Sequence, residues 1–87
     1  MNQYIAVPQS KTHAFLLAER LKNAGVTCSI CYIPAQISNG PCSMGVRFSE
    51  KYFIICRRVI RESGLPGCRL YKEVINANAS EYYEQTI

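Results

Sequence analysis

Aspartate is absent from this chain of 87 residues, and histidine occurs once, at His13. All acidic charge therefore rests on Glu19, Glu50, Glu62, Glu73, Glu81 and Glu84. No catalytic triad, phosphate-cradling glycine loop or paired-carboxylate site can be picked out, so an enzyme that turns over alone is not expected. No run of eighteen apolar residues exists, so no membrane span is expected. The amino end, "MNQYIAVPQSK", lacks the basic start and long apolar core of a signal peptide, and a cytoplasmic location is the expectation. No internal repeat is found. Cofactors are not called for by any motif.

What is present is a 48% hydrophobic composition, enough for one small domain with a single modest core. The five cysteines are an odd count without a secretion signal, which favours free thiols over a disulfide scaffold. The net charge is +4, with all ten Lys and Arg before residue 76 and Glu81 and Glu84 after it. A mild basic excess of this kind is common, and nucleic acid is not expected as the partner.

The pattern reads as two strand–helix–strand units. "YIAVP" suits a buried central strand ending at Pro8, and Ser10 offers an N-cap. Ala14, Leu17, Ala18 and Leu21 recur at helical spacing until Gly25. "VTCSICYIP" alternates as a second strand, and a third runs from Cys42 to Phe48. Ser49 can cap a second helix whose stripe is Tyr52, Ile55, Cys56, Val59 and Ile60. "GLPG" ends that helix and "CRLYKEV" is a fourth strand. Right-handed crossovers make this an α+β, ferredoxin-like βαββαβ sandwich, with an antiparallel four-stranded sheet in the order 4-1-3-2 and both helices on one face. The domain is expected over residues 1–75. Residues 76–87 are expected as a frayed tail or short helix, with Tyr82 and Tyr83 available for docking. The uncovered sheet face or this tail is expected to support self-association, giving a homodimer.

The topology gathers unusual residues at one end. Cys42 follows the Gly40-Pro41 turn at a strand start, close to the helix N-terminus with Ser10, Lys11 and His13, and with Ser43 beside it. Positive potential there lowers a thiol pKa from about 8.5, so Cys42 is the candidate reactive thiol; the plainer reading is a loop cysteine turned inward. Cys68, at the start of the fourth strand, is the candidate second thiol, roughly 10 Å away by strand spacing. "CSIC" (Cys28–Cys31) has C-x-x-C spacing, but in a strand its two thiols face opposite ways, so no metal site is expected. Cys56 belongs to an apolar helix stripe and reads as filler. Arg57, Arg58 and Arg61 read as a solvated face.

Three segments, "SKTHAFLLAERLKNAGV" (Ser10–Val26), "IPAQIS" (Ile33–Ser38) and "CSMGVRF" (Cys42–Phe48), carry a family resemblance. The chain resembles the small bacterial selenium/sulfur carrier-like proteins from about Tyr4 to Val74. One departure is Ser43, where that family usually has glycine after the cysteine; Pro41 is another. The resemblance implies that Cys42 carries sulfur or selenium as a persulfide or selenylsulfide, between a donor protein that loads it and an acceptor that unloads it. The rival expectation is a regulatory or protein-interaction module of the same fold without thiol chemistry. A third is RNA binding on the exposed sheet face, for which Tyr4 and Phe48 are the only stacking candidates.

Overall fold

The computed structural model describes residues 2–38 and 44–87. Cys42 and Ser43, with residues 39–41, lie outside the described residues. The chain folds as βαββαββ, with a five-stranded antiparallel sheet in the order β2-β3-β1-β4-β5. The strands are β1 (Gln3–Val7), β2 (Cys28–Tyr32), β3 (Met44–Ser49), β4 (Arg69–Ile75) and β5 (Ser80–Gln85), and the helices are α1 (Lys11–Asn23) and α2 (Phe53–Ser63). The four strands read from the sequence take the expected order. The correction is the fifth.

β1 is apolar because it is covered on both faces: Tyr4, Ile5, Ala6 and Val7 are all buried, between β3 and β4. The Ser10 hydroxyl accepts the His13 backbone N–H at 3.1 Å, starting α1 as its N-cap. Ala14, Leu17, Ala18 and Leu21 are buried against the sheet, and fully burying a leucine contributes about 1.5–3 kcal/mol. Gly25, at φ 87, turns the chain out of α1 in the left-handed region.

The start of α2 departs from expectation. Ser49 makes no side-chain cap hydrogen bond, because a 3-10 turn, Glu50–Tyr52, intervenes before α2 begins at Phe53. The tail departs further. It is neither frayed nor helical but runs back along β4, from Ile75↔Ser80 to Leu70↔Gln85, with Asn76 N–H bonded to Ala79 O at 2.9 Å across the turn. The cause lies in β4, whose outer row of backbone N–H and C=O groups needs partners that β5 supplies.

Two cores result. On the helix side, Tyr4, Ala6, Val46, Phe48 and Leu70 of the sheet pack with α1 and with Cys56 and Ile60 of α2. Tyr4 stacks on Phe48 at 5.7 Å and meets Phe53 at 4.6 Å. The two residues considered for RNA stacking are thus held in this core, 8% and 2% exposed. On the opposite face Ile5, Val7 and Tyr71 gather around Ile37, with Cys31, Ile33 and Tyr82 against them. The chain after β2 therefore folds back over part of the face that the helices leave open. Gly45 permits this approach: a Cβ there would lie 2.8 Å from Ala6 O and 3.4 Å from Ile33 Cγ1.

Candidate functional site

The loop after β1 and the turn after α2 meet at one end of the sheet, since the Gln9 side chain fills the space that a side chain at Gly67 would take. Ser10 is engaged there as the α1 cap, and Lys11 is exposed in the first turn. Unsatisfied N–H groups make such a helix start electropositive. His13 is half-buried, and its Nδ1 is shielded with no hydrogen-bond partner among the described residues. Cys68 sits just before β4, packed against the helix-side core together with Leu65 and Ile87. Of the expected set, Ser10, Lys11, His13 and Cys68 can therefore be placed, whereas Cys42 and Ser43 lie outside the described residues.

The four described thiols share a condition. Cys56 is fully buried in α2, and burial pushes it up to about 12, with Cys28 adding to the shift. Burial alone pushes Cys68 up to about 11. Cys28 lies on the helix side, its Sγ 3.7 Å from Ala18 O, and is raised by burial against the opposing pull of Lys22. Cys31 lies on the other face and is raised by burial, with Arg47 opposing and Glu73 reinforcing the shift. The thiols of "CSIC" thus join different cores, as strand alternation requires. No group of metal-ligating side chains is found among the described residues, and no described helix is long and apolar enough to cross a membrane. A thiol raised in this way carries little thiolate at neutral pH and is a poor nucleophile.

The sequence reading missed one polar feature. On the face away from the helices, Glu73 is 4% exposed; it accepts a hydrogen bond from Tyr82 Oη at 2.8 Å and pairs with Arg47 Nη2 at 3.3 Å. Removing a partner from a buried carboxylate is costly, so the three side chains act as a unit joining β3, β4 and β5. Burial first, and then the Glu73 contact, hold the Tyr82 phenol above its ordinary pKa. A signal was available: alternation in "RLYKEVI" places Glu73 on the same side as Tyr71, a position that sheet packing covers.

Residues 3–72 match the model of a family described as "Putative Se/S carrier protein-like". No curated protein matches the chain, and no solved structure does.

Proposed function

The chain belongs to this Se/S carrier-like family, and we propose that it holds sulfur or selenium on Cys42 and passes it from a donor protein to an acceptor. The observation that supports Cys42 is the state of the other thiols. Cys28, Cys56 and Cys68 pack against the helix-side core and Cys31 against the other, and burial raises every one of them. Cys42 differs in sequence context, following the turn-forming Asn39-Gly40-Pro41.

The step is an exchange without net oxidation. The Cys42 thiolate attacks the outer sulfur of a donor persulfide, forming Cys42–S–SH as the donor thiolate leaves. The acceptor thiolate then attacks that same outer sulfur and releases Cys42. A selenium atom would be carried as the selenylsulfide. Lys11 and the start of α1 provide the positive potential that favours the anionic forms. Donor and acceptor proteins are the partners this reading requires.

Incubation with a cysteine desulfurase and cysteine, followed by intact mass and peptide mapping, tests the proposal. The expected result is a gain of one sulfur atom on Cys42, reversed by reductant and absent in Cys42→Ser. Loading at Cys31 or Cys68, or no loading, would overturn it and favour the interaction module.

A further inference from the structure

At the opposite end of the sheet from Ser10, a cleft of about 430 Å³ opens where β1 and β2 begin and β3 ends. Its volume falls in the range of small-molecule sites, about 300–1,000 Å³. The chemistry of its wall is one-sided. Arg47 and Lys51 line it with the hydroxyl-bearing residues Thr27, Ser29, Ser49 and Tyr52, and among the described residues no acidic one does.

Strand register assembles this wall. Ser29 lies opposite Arg47 across β2 and β3, and Gln3, also in the lining, lies opposite Ser49 across β1 and β3. Alternation sets Ser29, Arg47, Ser49 and Gln3 on one face. The 3-10 turn that displaced the start of α2 brings Lys51 and Tyr52 to the rim.

Arg47 is the informative residue. Its Nη2 is paired with Glu73, yet its Nε is shielded from solvent and has no hydrogen-bond partner among the described residues. A guanidinium has five donors, and leaving a buried one unpaired costs about 1–3 kcal/mol. Because the Nε is shielded, an acceptor relieves that cost only as the Arg47 side chain turns toward the cleft it lines. Lys51 places its Nζ 5.0 Å from the centre of the Tyr52 ring. The Tyr52 phenol is held below its ordinary pKa by a hydrogen bond to Thr27, with the Lys51 charge contributing. Tyr52 brings an aromatic ring to the same cleft, which Cys28 and the core residue Phe48 border from the helix side.

We propose that this cleft binds a small organic oxyanion, a carboxylate or phosphate group borne on a compact apolar body. Arg47 and Lys51 receive the anion with the surrounding hydroxyls, and the Tyr52 ring holds the body. The site is independent of thiol chemistry and stands whether or not Cys42 carries sulfur.

The test is titration of isotopically labelled protein with benzoate and with phenyl phosphate, alongside benzyl alcohol as the neutral control. Saturable shifts at the Arg47 Nε–H resonance and the Ser29 and Lys51 amides are expected for at least one anion, and the arm that saturates identifies the head group. Lys51→Gln, a change at an exposed position, is expected to weaken binding about tenfold. Arg47→Lys, which keeps the charge opposite Glu73, is expected to weaken it at least as much because the fork of donors is lost. Equal shifts with benzyl alcohol, non-saturating shifts with both anions, or unchanged affinity in Lys51→Gln would each overturn the proposal.

Discussion

Reaction of the native protein with a small dipyridyl disulfide should rank its thiols, and the ranking follows from burial. From an ordinary cysteine value of 9.0, Cys68 is held up to about 11 and Cys56 up to about 12. Near neutral pH those shifts lower the thiolate fraction by roughly 100-fold and 1,000-fold relative to an unperturbed thiol. A thiolate of higher pKa is intrinsically more nucleophilic, with a Brønsted coefficient of about 0.4–0.5, which returns roughly half of each exponent. The net disadvantage is then about 13-fold for Cys68 and about 45-fold for Cys56, before any loss of access. On the proposed assignment Cys42 is modified first, and Cys28 and Cys31 follow because burial raises both. Acid-quenched time points read by peptide-resolved mass spectrometry give the five rates. In urea the same reagent should modify all five at similar rates, since the differences arise from the fold. Modification of native Cys68 within about threefold of Cys42, or a spread that persists in urea, would refute this reasoning.

Gly45→Ala should destabilise the fold by about 1–3 kcal/mol, because the new Cβ meets the backbone at Ala6 O. For a domain of this size that lowers Tm by about 4–8 °C per kcal/mol, measurable by thermal or urea denaturation. Gly25 is a contrast: nothing lies within 4 Å of a Cβ there but φ is +87, so Gly25→Asn should be tolerated better than Gly25→Ala. Tyr82→Phe should cost about 1–3 kcal/mol by removing a donor from the buried Glu73 carboxylate. A double-mutant cycle with Glu73→Gln should give a coupling above about 0.5 kcal/mol, and strict additivity would show that the two groups do not act together.

The parts of this fold that were legible in the sequence are those where one residue pattern answers to one environment. Ala14, Leu17, Ala18 and Leu21 keep helical spacing because a single stripe of α1 meets the sheet. Val46 and Phe48 alternate because β3 has one face under the helices. β5 was not legible, because adjacent Tyr82 and Tyr83 between Glu81 and Glu84 break any alternation. Its pairing is dictated by the backbone needs of β4 and the reach of Tyr82 to Glu73. Ser49 looked like a cap because serine before an apolar stripe has that meaning locally; the 3-10 turn depends on how β3 hands the chain to α2. For the candidate site, strand alternation separated Cys28 from Cys31 correctly. The proposed burden on Cys42 came from turn chemistry and family resemblance, whereas the Arg47 cleft arises from register between strands distant in sequence.

The placement of β5 also leaves the sheet with two unlike margins. Every sheet that does not close on itself ends in rows of backbone groups that invite another strand, and charge is one way proteins discourage the visitor. β5 carries Glu81 and Glu84 along its row. β2, "CSICY", carries no charge, and its Tyr32 is 79% exposed. The molecule therefore has a direction: its guarded side lies beyond residue 72, where the family match ends, and its receptive side lies within the matched region. A strand added to this protein, whether from another chain or from a misfolded copy of itself, is therefore expected at β2 rather than at β5.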